Sequence, residues 1–246
     1  MSRFFLNAIL PLFCFFLLMG SGTGFAANAP SLDDDEAYFN EDTGPLVPDP
    51  LEGWNRAMYH FNDGLIDYVL RPAHKGYVYI TPKPLRTGIR NVFHNLAFPA
   101  RFVNNLLQGK GMAAGAEMSW FILNTTAGLG GLLDLSPQHP AKVPVDEEDM
   151  GQTFGVWGIG EGMYIVWPFL GPSTLRDTAG MGGDYFLDPV TYVEPWELSL
   201  GLSAGRAFND LDNVLDLYDD MKKLAVEPYT ALRNGYVQYR RAKVAK

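Results

Sequence analysis

The sequence of 246 residues contains only one cysteine, Cys14, and few basic residues. A single cysteine excludes an intramolecular disulfide framework and a Cys-x-x-Cys metal site. The 19 Lys+Arg residues stand against 28 Asp+Glu residues, for a formal net charge of −9. Because phosphate contacts need a positive surface, this balance excludes a generally basic nucleic-acid binder. The mean hydropathy of −0.05 argues against a polytopic membrane protein.

Catalytic motifs are also scarce. The run Gly201–Gly205 matches the Gly-x-Ser-x-Gly nucleophile elbow around Ser203, but that elbow needs a histidine later in the chain. All of the histidines precede it: His60, His74, His94 and His139. A dinucleotide-binding fingerprint fails at Met163, and no phosphate-loop or metal-ligand spacing occurs. We therefore expect no cofactor, no metal and no enzymatic activity, with a serine lipid hydrolase as the minor alternative.

The first 26 residues have the pattern of a signal peptide. Arg3 precedes the almost wholly apolar run Phe4–Met19, and Gly24-Phe25-Ala26 resembles a cleavage site. The run is shorter than the about 20 residues of a spanning helix, which disfavours the alternative of an uncleaved anchor. Cys14 lies inside the run, where it is badly placed for lipidation. We expect export to a bacterial periplasm and a mature chain without cysteine.

Residues 27–48 are predicted to be an acidic flexible tether. Between Pro30 and Pro48 the chain has six acidic residues and no Lys or Arg. Such a segment repels itself and buries little surface. We expect folded structure to begin at residue 49, with a helical domain over 49–241 and a basic tail over 242–246.

The spacing of apolar residues predicts a mainly α-helical fold. Asp49 and Pro50 suit the N-cap and first position of a helix, and Arg71-Pro72 should end it. Its apolar stripe consists of Trp54, Met58, Phe61, Leu65 and Tyr68. Further helices are predicted over 84–96, 99–108 and 112–126, and a last one from Glu227-Pro228. The residues before Ser203, 194–200, are a weak strand candidate.

The middle of the chain differs in composition. Glycine recurs every two or three residues between Phe154 and Tyr164, which disfavours a helix and favours an irregular loop or short hairpin. One interpretation is a loop packed in the core. The other is a surface that contacts lipid, where Trp and Tyr are favoured at the headgroup level. The acidic run 146–149 just before it is predicted to be a solvated loop.

Charge reverses at the C-terminus. Residues 222–246 contain seven basic residues and one acid, a net of +6, whereas residues 27–221 carry a net of −16 from 11 basic and 27 acidic residues. A basic helix with tyrosines can bind anionic headgroups or an acidic partner, with Arg233, Arg240 and Arg241 as candidate contacts. The alternative is a solvated tail on the last helix.

A series of motifs runs in order along nearly the whole mature chain. It begins with DPLEGWNRAMYHFN over 49–62 and continues with Leu107-Gln108-Gly109 and Leu123-Asn124-Thr125. It includes the run from Phe154 to Asp177 and ends with Pro228-Tyr229, Arg233 and Tyr236. Together these motifs resemble the MlaA/VacJ family of outer-membrane phospholipid-transport proteins.

The resemblance implies a ring-like arrangement of amphipathic helices lying in one leaflet of the outer membrane, on its periplasmic face. It implies a central channel through which phospholipids from the outer leaflet pass to a soluble periplasmic carrier protein, which maintains lipid asymmetry. It also implies a trimeric porin as partner. A polar path for the headgroup is physically necessary, because an unpaired polar group in hydrocarbon costs several kcal/mol.

The resemblance also implies gate residues. The loop 158–164 would lie at the channel mouth, with Gly158, Gly160, Gly162 and Tyr164 as candidates. Phe61 and Asn62 form the second candidate segment, and ordinary core packing is the alternative for Phe61. Arg176 and Asp177 are expected to form a structural ion pair.

One departure from the family concerns lipidation. Typical members have a lipidated cysteine, which the residues before Ala26 do not offer in a suitable place. We expect a non-lipidated mature chain, and mass spectrometry of the mature N-terminus tests this. A porin-associated scaffold without transport remains the alternative function.

Overall fold

The computed structural model describes residues 46–136 and 147–246, so the predicted signal peptide and most of the predicted tether lie outside the described residues. The described part is mainly helical, as predicted, with one two-stranded sheet among the described residues. Its α-helices are α1 Glu52–Leu65, α2 Arg71–Ile80, α3 Lys83–Leu96, α4 Phe98–Leu107, α5 Gly111–Thr126, α6 Met150–Val156, α7 Leu175–Leu187, α8 Trp196–Asn209, α9 Leu211–Leu224 and α10 Pro228–Val244. Strands β1 Tyr164–Trp167 and β2 Gly171–Thr174 lie between α6 and α7.

The start of α1 differs from the prediction. The helix begins at Glu52, and its N-cap is Leu51 without a side-chain cap. Asp49 does not cap the helix, because its carboxylate accepts hydrogen bonds from Asn55 Nδ2 at 2.7 Å and from Arg233 at 3.1 Å. The residue that looked like a local helix signal is therefore a long-range contact to the C-terminal helix.

The predicted end at Arg71-Pro72 was wrong. The chain stays helical through a π-helical segment, Ile66–Leu70, and then through α2. Pro72 lies in the first turn of α2, where a missing N–H group costs little. The predictions for α3, α4 and α5 are confirmed within one residue at each end. The helix start at Glu227-Pro228 is confirmed as well, since Glu227 is the N-cap and accepts from Thr230 N at 2.8 Å.

The glycine-rich run begins helical and ends in a hairpin. Residues 154–156 close α6, so the prediction that this run avoids helix was wrong for these three residues, and β1 pairs antiparallel with β2, with Tyr164 opposite Thr174. Residues 157–163 form the loop between α6 and β1, and we call them the crossing loop. The predicted loop therefore ends one residue earlier than expected, because Tyr164 is already a strand residue.

The core combines aromatic and charged groups. Helices α6 and α7 pack together, and α10 lies against α6 and β2. A buried apolar cluster joins the first described residues to the hairpin and α10: Val47, Tyr59, Tyr164, Val166, Tyr229, Tyr236 and Val237. Lys243 is also buried, so residues 242–244 belong to α10 rather than to a separate tail. Among the described residues, no helix has both the length and the hydropathy that crossing a bilayer requires.

Candidate functional site

The crossing loop is exposed between two fixed ends. Trp157 and Ile159 are about half exposed, and the Trp157 indole donates to the Leu107 carbonyl at 3.0 Å. Gly158 and Gly162 have positive φ angles of 85° and 73°, a conformation in which other residues are strained. A side chain at Gly162 would also meet Leu175 at 3.0 Å. The loop thus presents apolar side chains outward from a backbone that needs glycine.

Tyr164 does not belong to the exposed loop. It is fully buried in β1, its amide donates to the Pro48 carbonyl at 3.0 Å, and its ring meets Tyr229 edge to face. Burial raises the pKa of Tyr164 well above the usual value. A residue packed in this way anchors the base of the loop.

The helix α1 binds the hairpin through asparagine side chains. The Asn62 amide donates to the Trp167 carbonyl at 2.9 Å, and its oxygen accepts from Phe169 N at 2.8 Å. Two turns earlier, Asn55 makes the same kind of paired contact with Tyr164 O and Val166 N. Sequence reasoning singled out Asn62 but missed Asn55, although the spacing of seven residues places both on one face of α1.

Phe61 lies beside this contact, at the surface. It is 44% exposed and meets the Phe169 ring edge to face, with centroids 5.2 Å apart. Phe169 itself holds a positive φ of 67°, an unusual conformation for a residue with a side chain. Asn62 therefore stabilises a strained hairpin turn, and Phe61 covers it from outside.

A buried charge network joins α6, α7 and α10. The Arg240 guanidinium contacts Asp149 at 2.6 Å and Asp177 at 3.0 Å, and the Tyr236 hydroxyl donates to Asp177 at 2.9 Å. Burial alone would raise the pKa of Asp149, but the Arg240 charge and hydrogen bonds lower it to about 2. Burial and the nearby Asp149 charge raise the pKa of Asp184 to about 7.

This network corrects the prediction of headgroup contacts on the last helix. Arg233 and Arg240 are 6% and 5% exposed, so neither can reach a lipid headgroup. Arg233 binds Asp49, and Arg240 binds Asp149 and Asp177. Arg241 is half exposed and pairs with Glu161 of the crossing loop at 2.8 Å. Two of the seven basic residues of the C-terminal segment, Arg233 and Arg240, are thus paired with carboxylates from distant parts of the chain.

The structure also tests three other predictions from the sequence. Arg176 and Asp177 form the expected structural pair, at 3.0 Å and buried. Glu148 is buried, and the Asp149 side chain is 17% exposed and caps α6, so the prediction that 146–149 is a solvated loop was wrong for these two residues; residue 146 lies outside the described residues. Residues 196–200 are helical and Ser203 lies inside α8, so the weak strand prediction was wrong for them and the nucleophile elbow is not formed.

The outer surface is unusually apolar. Helix α2 buries His74 and exposes Tyr79 at 91% and Ile80 at 75%. Tyr68, just before it, is 85% exposed. Two polar side chains of α2 contact α8 and α9, since Tyr77 donates to Asn209 at 2.7 Å and Arg71 binds Asp219 at 2.7 Å, whereas Lys75 is exposed. A water-soluble helix shows the reverse arrangement. This surface was not predicted from the sequence, although residues without charge recur there at helical spacing: Pro72, Ala73, Gly76, Tyr79 and Ile80.

Comparison with known proteins gives a consistent result. The model of the family described as "MlaA lipoprotein" matches residues 47–243. The Escherichia coli K12 "Intermembrane phospholipid transport system lipoprotein MlaA" is 34% identical over 192 residues, 77% of this chain and 76% of that protein. The Haemophilus influenzae protein of the same name is 34% identical over 203 residues, 80% of this chain and 79% of that protein.

A solved structure has the same fold. It is described as "Structural basis for maintenance of bacterial outer membrane lipid asymmetry", and it superposes with a TM-score of 0.70 at 33% identity. The match covers 80% of this chain and 99% of that one.

Proposed function

The chain belongs to the MlaA lipoprotein family, and on that basis we propose that it is the outer-membrane component of an intermembrane phospholipid transport system. It removes mislocalised phospholipids from the outer leaflet and so maintains lipid asymmetry. It acts as a transport component rather than as an enzyme. The names of the relatives and of the solved structure support the system and its role.

The observation that carries this proposal is the inverted polarity of the molecule. Arginines, asparagines and carboxylates occupy the interior, while aromatic and aliphatic residues such as Tyr79, Trp157 and Phe186 face outward. Exposed apolar patches on this scale mark a membrane or protein interface. Tyr and Trp among them suit the headgroup region. A ring of helices lying in one leaflet, in contact with lipid on its outside, agrees with this distribution.

The crossing loop and the Phe61–Asn62 segment form the proposed gate of the lipid path. Glycines at 158, 160 and 162 permit the loop to change shape, and Asn62 sets the turn of the adjoining hairpin. Tyr164 contributes as the buried base of the loop. A phospholipid headgroup would pass beside polar backbone here while its acyl chains stay against apolar side chains.

The remaining parts of the proposal concern partners and location. We propose that a porin trimer holds the protein at the periplasmic face of the outer membrane and that a soluble periplasmic carrier receives the lipid. The family is described as lipoproteins, whereas Cys14 lies within the predicted signal peptide. We therefore propose attachment through the protein's own apolar surface. An acylated cysteine at the mature N-terminus, detected by mass spectrometry, would contradict this.

The test of transport is a deletion strain. Loss of the gene is expected to raise outer-leaflet phospholipid and detergent sensitivity, and the wild-type gene on a plasmid is expected to reverse both. Ser203→Ala is expected to complement fully. Failure of that variant would favour a hydrolase. Normal outer-leaflet lipid in the deletion strain, with porin binding intact, would favour a scaffold.

A further inference from the structure

A single surface arginine fastens the crossing loop to the last helix. The Arg241 guanidinium donates from Nε to Glu161 Oε1 at 2.8 Å and from Nη2 to Glu161 Oε2 at 2.9 Å. This two-pronged geometry is the strongest form of an arginine–carboxylate pair. The Glu161 side chain is only 13% exposed, so the loop turns its one acidic group toward the protein.

The same guanidinium reaches a third segment. Nη2 of Arg241 also donates to the Leu46 carbonyl at 3.0 Å. Two residues later, the Pro48 carbonyl accepts from the Tyr164 amide at the base of the loop. The first described residues, the crossing loop and α10 therefore meet at one side chain.

The rest of the crossing loop has the features of a segment that can move relative to Arg241. At its start, the Trp157 indole is bound to the Leu107 carbonyl at 3.0 Å, and near its end the Glu161 carbonyl accepts from Arg176 N at 3.1 Å. Gly158 lies between these two contacts and Gly162 directly follows the second, and both have positive φ angles. Glycine positions of this kind absorb the backbone changes of a hinge.

Arg241 differs from its neighbours on α10. Arg233 and Arg240 are buried in pairs whose rupture would leave a charge inside the protein. The Arg241 side chain is 48% exposed, so its guanidinium stays accessible to water when it separates from Glu161. Its pair can therefore open and close without unfolding the core.

We propose that Arg241 is a positioning residue for transport. It acts as a latch that holds the crossing loop through Glu161, and it couples the position of the loop to that of the N-terminal segment. The proposal rests on the function proposed above, because the loop matters only if it borders the lipid path. Breaking the pair should loosen the loop and change transport. Exchanging the two charges should restore both.

The experiment uses R241E, E161R and the R241E/E161R exchange in the full-length chain. Hydrogen exchange of residues 158–162 is measured on the purified protein in detergent, and outer-leaflet phospholipid is measured in the complemented deletion strain. Each single variant is expected to accelerate exchange by about threefold, the size expected for an ion pair whose arginine is half exposed, and the charge exchange is expected to bring it back. The neutral variant E161Q guards against misfolding caused by charge reversal.

The matched control is R90E. Arg90 pairs with Asp210 at 2.8 Å on helices away from the loop, and its side chain is similarly exposed at 36%. This variant is expected to leave exchange at 158–162 and transport unchanged. A comparable effect of R90E would overturn the specific role of Arg241.

The outcomes separate the latch from the proposed function. Unchanged loop exchange in R241E, E161R and E161Q would overturn the latch. Faster exchange with normal lipid asymmetry, in a strain whose deletion does raise outer-leaflet phospholipid, would overturn its role in transport. A deletion without any lipid phenotype would instead overturn the proposed function, and loop exchange would still decide whether the latch exists.

Discussion

Helices α2 and α9 are joined by polar contacts, yet they show opposite faces to their surroundings. Arg71 of α2 binds Asp219 of α9, and His74 lies 3.4 Å from Asp212. From this shared polar contact, α2 turns outward with Tyr79 and Ile80, whereas α9 buries Leu215 and Met221 and exposes Asp216. Both helices are amphipathic. The difference teaches that amphipathicity alone does not tell which face is inward, and that the two helices meet different solvents.

The C-terminal helix and the outer surface also show an inverted placement of polar and apolar side chains. Helix α10 is the most basic part of the chain, but two of its three arginines, Arg233 and Arg240, are buried against carboxylates. Apolar side chains that a soluble protein would bury lie outside. We propose that a boundary between lipid and water passes between α2 and α9.

The largest effect is expected from removing the positive charge of Arg240 at the centre of the buried charge network. Arg240→Ala removes the cation that pairs with Asp149 and leaves the buried Asp177 with Arg176 as its remaining cation, and such a loss costs about 3–5 kcal/mol. Thermal unfolding of the detergent-solubilised protein measures it. A change below about 1 kcal/mol would mean that the interior is not held by these pairs.

A smaller effect is expected from pH. The pKa of Asp184 is raised to about 7, so the folded state holds a proton that the unfolded state releases near pH 4. Stability should therefore fall as the pH rises from about 5 to about 7.5, by on the order of 2–4 kcal/mol. Asp184→Asn should flatten this profile and the exposed Asp216→Asn should not. A wild-type profile that rises over this range would contradict the buried, protonated carboxyl.

The contact between α1 and the hairpin comes next. Asn62→Ala removes two hydrogen bonds to the turn at Phe169 and should cost about 1–3 kcal/mol. We expect faster hydrogen exchange in β1 and β2 and a change in outer-leaflet phospholipid. The control is Asn91→Ala, which removes one exposed bond to the Leu132 carbonyl. Equal effects of the two variants would argue against a special role for the hairpin.

The smallest effect on stability is expected at the apolar face of α2. Tyr79→Ser removes an almost fully exposed side chain, so unfolding should change by less than about 0.5 kcal/mol. Its binding to phospholipid vesicles should nevertheless weaken, since an interfacial tyrosine is lost. Vesicle flotation with Asp216→Ser as control checks both. Unchanged binding of Tyr79→Ser would mean that α2 does not contact lipid.

The local parts of this fold were predictable from sequence and the long-range parts were not. Helices α3 and α4 are clearly amphipathic and α5 is apolar on most sides, and the limits of all three agree within one residue. Asp49 was misread because its partners, Tyr229 and Arg233, lie about 180 residues away. Arg240 was misread for the same reason, since the charge count of α10 cannot show that carboxylates of α6 and α7 face it.

In the candidate site, too, the local features were predictable from sequence and the long-range contacts were not. The glycines of the crossing loop and Asn62 were recognisable from local pattern and family resemblance. The pairing of Arg241 with Glu161 was not, because it joins residues 80 positions apart. The outward apolar face of α2 was overlooked because the helix was expected to end at Pro72, where the π-helical segment instead carries it onward.

The most direct test places one label on each of the two contrasting helices. Loss of the predicted signal peptide leaves no native cysteine, so Tyr79→Cys and Asp216→Cys give single labelling sites. Each is labelled with a fluorophore, and the protein is bound to phospholipid vesicles. We expect a lipid-borne quencher to act on position 79 and a water-soluble quencher to act on position 216. Quenching of both positions from water alone would contradict a lipid-facing α2 and, with it, the account of the molecule as a leaflet-embedded lipid transporter.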